Sequence, residues 1–454
     1  MAPLTPDRVV QQIRQYHPTL RLARLDVGLA SAKRLEKQGA FDPVLSGSSY
    51  FNRYNSSSSP GKALEAIEAD GAIKLQTRSG IEVMTGARLA RGDIKTPLSP
   101  TGEGGEYYGG LKIPLLRGLG INPKAADEQK ALLGEPLSET VLRQTELGLL
   151  VSGLTAYWEW VGAWKKQQAE YELLTLAQVR QQAVQQLTEL GDSPAIDAVE
   201  AQNEVKRRMG RLARAQRVAE QSSNKLNVFL WEEALPASTR GTPVLITMPA
   251  PNKEQVPNAM APPAPVVNDA LATGKLKALT LRPELKALSL SRQLTPVDEQ
   301  LAKNNLLPQL DALITQGVEV GNSGIGPVMK AGISVAVPLR LRTAQGQLQQ
   351  AQLSLQKITV QEQQLVQRIF VDVADAISAM QAAYERYEAA EQEWDLAKQL
   401  QAGEQTRFQL GDSTLFLVNQ RERAATEASM TLIDAWVDYQ AAVSQYQAVT
   451  GQLQ

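Results

Sequence analysis

The chain has 454 residues, with 47 Lys and Arg against 48 Asp and Glu, no Cys and a single His. Without Cys there is no disulfide framework and no thiolate ligand for zinc or an iron–sulfur cluster, and one His cannot form a multi-histidine metal site. The even charge balance argues against a broadly basic nucleic-acid-binding protein. Aromatic residues make up only 5% of the chain, so we expect Leu, Val, Ile and Ala to fill the core.

The sequence carries no obvious targeting or membrane-spanning segment. Its start, MAPLTPDRVVQQ, lacks the charged and apolar regions of a signal peptide. We therefore expect either a cytosolic protein or a chain from which a leader has been removed. No run of about 18 apolar residues occurs, which argues against a membrane-spanning helix. Membrane strands of about ten alternating residues would escape this test.

The chain contains an internal repeat. Four matches occur in the same order in its two halves: Pro18 with Pro283, Pro43 with Pro308, residues 110–115 with 334–339, and 190–193 with 410–413. The offset falls from 265 at the first two matches to 224 at the third, so the first copy holds 41 additional residues. We predict a first structural repeat at 1–235, a proline-rich linker at 236–265 and a second repeat at 266–454.

Each copy begins with a short helix that ends before a proline, where a second helix starts. A β region follows in the first copy at about 44–115, and it includes the 41 additional residues. The predicted strands and loops are Val44–Tyr54, a loop at Asn55–Gly61, Gly71–Arg91 interrupted at Arg78–Gly80, a loop at Gly92–Gly105, and Glu106–Leu115.

A long helical hairpin completes the first copy. Its ascending segment is loosened by Pro136, Gly148, Gly153 and Gly162 and ends at a tip near Gly191. Its descending helix is predicted at Ala195–Trp231.

The second copy has a shorter β region and longer helices. Alternating residues predict a β-hairpin at about 309–339, with strands at Gln309–Val320 and Met329–Leu339 around a turn at Gly321–Pro327. Residues 347–402 then contain neither Gly nor Pro, which allows a helix of about 84 Å. Gly403 is expected to interrupt this helix, and Gly411 to mark a second tip.

Taken together, these patterns resemble the outer-membrane efflux family, the TolC-like channels, over nearly the whole chain. Gly191–Gln202 (GDSPAIDAVEAQ) is similar to the family's first tip pattern, a glycine followed six residues later by an aspartate and then by Ala-Gln. Gly411–Glu422 resembles the second tip pattern. The repeat and the Pro114–Arg117 segment before Gly118 complete the resemblance.

The resemblance implies a mainly α fold with a β-barrel part. Three identical protomers would each give four main strands to a 12-stranded outer-membrane barrel in contact with lipid, and their helices would form a coiled-coil tube in the periplasm. The 41 additional residues would add a hairpin at the rim or an extracellular loop rather than wall strands. Such a channel is not an enzyme, needs no cofactor or metal and binds no nucleic acid.

The same resemblance implies the protein's partners and its function. The tips would dock on a periplasmic adaptor (membrane fusion) protein and, through it, serve an inner-membrane pump or exporter. The protein would be the passive exit duct of a tripartite efflux or type I secretion system. Candidate docking residues are Leu190, Gly191, Asp192, Ser193, Leu410, Gly411, Asp412 and Ser413. Gly-Asp-Ser also ends one helix and caps the next, so a structural role accompanies this one.

Two further candidate sites follow. Asp197 is the candidate pore gate, where three copies would raise a barrier to anions, although a residue in the first turns of a helix can also be simply solvated. The corresponding second tip carries Leu417 and Gln420 instead of carboxylates, which argues against a strong acidic gate there and leaves Gln420 as its candidate. Possible membrane-interface aromatics are Tyr50, Phe51, Tyr54, Tyr107 and Tyr108.

The single histidine and a group of three tryptophans are predicted to have structural roles. His17 has Arg282 at its place in the second copy, so a catalytic role is disfavoured. Trp158, Trp160 and Trp164 share one helical stretch, where packing is favoured over a ligand groove. The alternatives to a channel are a soluble, elongated coiled-coil scaffold or a periplasmic adaptor protein, and an enzyme is the least favoured class. A scaffold has no need for alternating strands at matching repeat positions.

Overall fold

The computed structural model describes residues 3–55, 60–94, 99–234, 244–258, 260–265, 267, 269–322 and 324–453. Parts of the segments predicted at 55–61, 92–105, 236–265 and 321–327 lie outside these residues, as does Gln454.

Long helices dominate the described part of the chain. The helices are α1 (Pro6–Tyr16), α2 (Pro18–Gln38), α3 (Pro123–Glu189), α4 (Ala195–Asn227), α5 (Ala270–Leu281), α6 (Pro283–Asn305), α7 (Arg342–Gln409) and α8 (Leu415–Val449). The strands are β1 (Val44–Asn55), β2 (Ala63–Gln76), β3 (Glu82–Gly92), β4 (Gly105–Pro114), β5 (Trp231–Ala234), β6 (Val244–Thr247), β7 (Gln309–Gly321) and β8 (Gly324–Ala336).

Prolines set the starts of two helices, as predicted. Pro18 and Pro283 are the first residues of α2 and α6. The residue before each proline, His17 or Arg282, is extended, with ψ near 125°. A proline disfavours the helical conformation in the residue before it, which separates each short first helix from the next.

The predicted interruption of the long helix at Gly403 is wrong, and the segment predicted to be loosened at Pro136 is a continuous helix. Helix α7 continues through Gly403 to Gln409, and α3 continues through Pro136 and three glycines to Glu189. An interior glycine costs only about 1 kcal/mol relative to alanine, and an interior proline costs about 3 kcal/mol. Ala131 and Thr140, on either side of Pro136, are buried, and such packing stabilises the helix against this loss.

A six-stranded antiparallel sheet has the order β1-β2-β3-β4-β7-β8. The structure therefore corrects the four main strands implied by the resemblance to six. β2 and β3 come from the additional residues of the first copy, which were expected at the rim or in a loop, and they lie between β1 and β4 in the sheet.

β8 begins at Gly324, paired with Gly321, so the predicted turn at Gly321–Pro327 is shorter than expected. Pro327 belongs to this edge strand, where proline is tolerated.

The chain divides into two compact units that each draw on both predicted repeats. The first unit comprises Met1–Leu25, Thr140–Leu285 and Gln363–Gln454. Its main core joins Ile13 of α1 and Trp160 of α3 with Leu226 of α4 and Trp436 of α8. Its small sheet pairs β5 with β6.

The second unit comprises Asp26–Glu139 and Lys286–Glu362 and contains the six-stranded sheet. Small side chains on its strands, including Ala66, Ala72 and Ala90, are buried.

Both helical hairpins end in the same backbone motif. At Gly191 (φ +85°), the N–H groups of Gly191 and Asp192 donate to the carbonyls of Thr188 (3.1 Å) and Leu187 (2.9 Å). At Gly411 (φ +82°), the same pattern recurs with distances of 3.0 and 2.9 Å. These are Schellman motifs, in which a glycine in the left-handed conformation satisfies the last carbonyls of the helix.

The motif predicts opposite effects for two Gly→Ala substitutions in α7 and its tip. A Cβ at Gly411 or Gly403 would meet no atom within 4 Å, so only the backbone conformation matters. Gly411→Ala should destabilise the tip by about 1–2 kcal/mol because its φ is positive. Gly403→Ala should stabilise the helix by about 0.5–1 kcal/mol. Hydrogen exchange at Asp412 should accelerate at least fivefold in the first variant and not in the second; equal exchange in both variants would contradict the motif.

Candidate functional site

The six-stranded sheet has one apolar face. The strand register places alternate residues of all six strands on this face, and Leu111, for example, lies between Val83 and Ile314. Its large side chains are exposed: Leu45, Phe51, Ile67, Ile73, Val83, Tyr107, Leu111, Ile314, Val318, Ile325, Met329, Ile333 and Val335. Contiguous apolar surface of this kind is rare on soluble monomers and marks a surface that contacts another molecule or lipid.

The opposite face of the sheet is polar. Ion pairs and hydrogen bonds cross it from strand to strand, between Asn52 and Glu68 (3.3 Å), Asp70 and Tyr108 (2.9 Å), Arg88 and Glu106 (2.7 Å), and Lys112 and Asp311 (3.1 Å). An apolar face backed by a polar face is the side-chain pattern of strands that separate lipid from a water-filled lumen.

The structure separates the five candidate interface aromatics. Phe51 and Tyr107 lie on the apolar face. The next cross-strand pair on the same face after Phe51 and Ile67 is Arg53 with Glu65, so the face becomes charged there. Tyr50, Tyr54 and Tyr108 lie on the polar face, since they alternate with Phe51 or Tyr107 along their strands. The aromatic content alone could not show this, because the assignment depends on strand register.

The two tips expose apolar side chains at matching positions. Leu190 and Leu410, each just before its tip glycine, are 75% and 79% exposed. Ile196 and Phe416, near the start of each following helix, are also exposed. The tips share a small core in which Val184 and Ala201 of the first pack with Leu415 and Phe408 of the second. The two candidate docking segments therefore lie side by side.

Polar residues differ between the tips. Ser193 donates a hydrogen bond to the carboxylate of Asp197 at 3.0 Å. In the second tip Ser413 bonds to Glu404 at 2.5 Å, and Asp412 pairs with Arg407 at 3.3 Å. The structure thus places the candidate gate residue Asp197 at the first tip, half-buried and bonded to a candidate docking residue, whereas Gln420 is exposed on α8.

Below the tips lies an ionic cluster that the sequence analysis did not identify. Glu422 of α8 is fully buried and is paired with Arg180 of α3 and with Arg208 of α4, the latter at 2.9 Å. Arg208 also bonds to Glu204 on its own helix at 2.8 Å, and Arg423 bonds to Glu204 at 2.8 Å. Removing one partner from such a buried network costs about 3–5 kcal/mol, so the cluster fixes how these helices pack.

The arginines also set the ionisation of Glu204. Burial by itself would raise the pKa of this carboxyl group, but hydrogen bonds from Arg208, Arg423 and Arg207 outweigh it and lower the pKa to about 2. Because the folded-state pKa lies below the ordinary value of 4.5, ionised Glu204 stabilises the folded chain. This contribution is complete above about pH 4.5 and is lost as the pH falls towards 2.

The other residues considered from the sequence have packing roles. His17 is buried, its pKa is lowered by that burial, and its Nδ1 accepts a hydrogen bond from the Thr19 N–H at 3.2 Å. Trp160 is in the core, Trp158 stacks edge-on against Trp436, and Trp164 donates to Ser223. The described residues contain no group of three or more His, Asp or Glu placed to hold a metal ion. None of their helices has the length and hydrophobicity needed to cross a membrane.

A two-faced antiparallel sheet, joined in sequence to paired long helices that end in matched tips, defines the fold class of the TolC-like channels. The outer membrane efflux protein family model matches residues 276–452. This confirms the resemblance seen in the sequence, and the family it names is one of outer membrane proteins. No curated protein sequence matches the chain.

Solved structures show the same fold over the whole chain. A membrane protein from Pseudomonas aeruginosa matches with a TM-score of 0.69 and 15% identity, covering 99% of this chain and 91% of that one. The Campylobacter jejuni CmeC outer membrane channel gives 0.67 and 12%, covering 99% and 86%. The open state of the Neisseria gonorrhoeae MtrE outer membrane channel gives 0.66 and 16%, covering 99% and 89%.

The two faces predict that adjacent residues of β8 respond differently to a new charge. Ile333 lies on the apolar face, and Ser334 lies on the polar face opposite Asp311. The side chains of Ile333 and Ser334 are both exposed. Ile333→Arg should reduce insertion into lipid vesicles, since arginine on a lipid-facing strand costs about 2–4 kcal/mol at mid-bilayer. Ser334→Arg should insert like the parent protein. Insertion can be measured as protection of the sheet from protease, and equal behaviour of the two variants would contradict the assignment of the faces.

Proposed function

We propose that this protein is a trimeric outer-membrane channel that serves as the passive exit duct of a tripartite efflux or type I secretion system. The observation that carries the proposal is the exposed apolar face of the sheet, in a chain whose fold is that of outer membrane channels. A channel of this kind moves solutes down a water-filled path and performs no chemistry on them, so the protein is not an enzyme. The two predicted repeats would each supply one helical hairpin to the duct.

The edges of the sheet support association of several copies. Within the described residues, β1 and β8 each have a neighbour on one side only. In lipid, unpaired backbone groups cost several kcal/mol each, so membrane strands must form closed barrels. β1 of one copy pairing with β8 of the next removes both edges. Because the six strands alternate in direction, β1 and β8 run antiparallel, and this junction continues the pattern of the sheet.

The tips support docking on a periplasmic adaptor protein. Leu190 and Ile196 of the first hairpin and Leu410 and Phe416 of the second are exposed apolar side chains, on tips that pack against each other through the core of Val184, Ala201, Leu415 and Phe408. Docking would bury these side chains and connect the duct to an inner-membrane pump or exporter. Asp197 accepts a hydrogen bond from Ser193, one of the candidate docking residues, and this contact supports a gate close to the proposed docking surface.

A soluble coiled-coil scaffold is the second candidate, and the sheet argues against it. A scaffold in water would leave the apolar face solvated at a cost of about 25 cal/mol for each Å². The face extends over all six strands, whereas its polar reverse carries the ion pairs. A protein built for water on both sides has no reason to separate the two sets of side chains.

The channel proposal predicts cross-linked trimers and ion conductance after reconstitution into planar bilayers. The purified chain should give discrete current steps, and lysine-reactive cross-linking should stop at three copies. A protein that stays monomeric and gives no current, under conditions in which other membrane barrels insert, would refute the proposal.

The docking proposal predicts that charge at the two tips prevents adaptor binding. The double variant Leu190→Asp with Leu410→Asp should weaken binding of a cognate adaptor at least tenfold, because two exposed apolar contacts become charged. Leu190→Met with Leu410→Met keeps the apolar surface and should bind like the parent. Trimer formation serves as a folding control, and unchanged binding by trimeric Asp variants would place the docking surface elsewhere.

A further inference from the structure

The additional residues of the first copy change the size of the proposed barrel. We propose that β2 and β3 are wall strands, so that each copy contributes six strands and three copies close a barrel of eighteen. The number of copies rests on the proposed function; the number of strands in each copy rests on the contacts described next.

Hydrogen bonding places β2 and β3 inside the sheet. β2 pairs with β1 along all of Val44–Asn55 and with β3 from Ala66 to Gln76. β3 in turn pairs with β4 from Glu82 to Arg88. A hairpin at the rim would leave β1 paired directly with β4, whereas here the two added strands separate them.

Both faces of the sheet continue across the added strands. On the apolar face, Leu75 of β2 is opposite Val83 of β3, which is opposite Leu111 of β4. With 14 and 11 residues, β2 and β3 are long enough to cross a bilayer, which takes about 9–11 residues in a tilted strand. Their pattern and length are those of the neighbouring strands.

A side-chain contact on the polar face ties the added strands to β4. The ring of Tyr108 on β4 lies over Gly86 of β3, and its hydroxyl donates to Asp70 of β2 at 2.9 Å. A Cβ at Gly86 would come within 2.9 Å of that hydroxyl oxygen and within 2.5 Å of the Gly71 carbonyl oxygen. The position therefore requires glycine. This contact spans three strands and requires β2, β3 and β4 to lie side by side in the sheet.

The turn between β2 and β3 is fixed to the start of helix α3. Arg78 makes two hydrogen bonds to Glu128, at 2.7 and 2.6 Å, and its carbonyl accepts from the Asn122 side chain at 3.0 Å. Gly80 is so close to the chain that an added Cβ would lie 2.1 Å from the Gly118 carbonyl oxygen. The turn is held at the end of the sheet that leads into the helices, where a wall hairpin must turn.

An even number of strands in each copy keeps every junction antiparallel, so six strands close as readily as four. Barrel diameter grows roughly in proportion to strand number, so eighteen strands give about 1.5 times the diameter of twelve, and barrels of 16–18 strands enclose an aqueous channel. The outer end of the duct would then admit bulkier hydrated solutes than a twelve-stranded barrel.

Electron cryo-microscopy of the intact, lipid-embedded protein tests the strand count directly. We expect trimers with eighteen strands, with the β2–β3 hairpin between β1 and β4. Trimers with a twelve-stranded wall and the hairpin outside it would overturn the inference and leave the proposed function standing. Absence of trimers would instead refute the proposed function and, with it, the inference.

A deletion gives a second, functional comparison. Removing residues 60–98 eliminates β2 and β3 and keeps the direction of every remaining strand. If this variant inserts, the largest polyethylene glycol that enters the sheet end of the pore, read from its effect on single-channel current, should be smaller than for the full chain. Equal polymer cut-offs would count against wall strands.

If the deletion prevents insertion, the variant Tyr108→Phe provides the test, since it removes only the hydrogen bond to Asp70. This variant should lower the thermal stability of the trimer. Unchanged stability would count against the contact across the wall.

Discussion

The requirement that every backbone polar group find a partner in a solvent without water governs the proposed architecture. A sheet with open edges cannot remain in lipid, and a sheet with one apolar face is poorly suited to water. The six-stranded sheet has both properties in the isolated chain. When β1 of one copy pairs with β8 of the next, the open edges disappear, and the apolar face is in a suitable solvent once it contacts lipid. Oligomerisation is then a condition of the fold in the membrane.

The long helices also need partners, which they find in other helices of the chain. Helices of 67 and 68 residues need packing along their length, because propensity alone stabilises long helices weakly. In the first unit this packing comes from the core around Trp160 and Trp436 and, closer to the tips, from the buried ion pairs of Glu422 and Glu204. Directional ion pairs fix which helices face each other. The tips beyond them end in glycine motifs and expose leucines.

The sequence predicted much of this arrangement, and the errors have identifiable causes. Pro18 and Pro283 mark helix starts because their effect is local, and the repeat located both tips and the β-hairpin of the second copy. Gly403 was predicted to interrupt its helix and Pro136 to loosen its own, but both helices continue because tertiary packing outweighs a local cost of a few kcal/mol. The place of β2 and β3 depends on pairing between distant strands and on the contact of Tyr108 with Asp70, which no local pattern reveals. The ionic cluster was missed because charged residues of a helix are mostly exposed, whereas Glu204 and Glu422 belong to the buried stripes of α4 and α8.

The most direct test of the central claim uses the absence of Cys from the chain. Single cysteines can be placed at adjacent residues of opposite faces, Ile67 and Glu68, Ile73 and Lys74, and Met329 and Lys330. In membrane-inserted protein, a water-soluble maleimide should label positions 68, 74 and 330, while lipid protects 67, 73 and 329 until the membrane is dissolved. Equal labelling within each pair, or the reverse pattern, would contradict a sheet that separates lipid from a water-filled lumen.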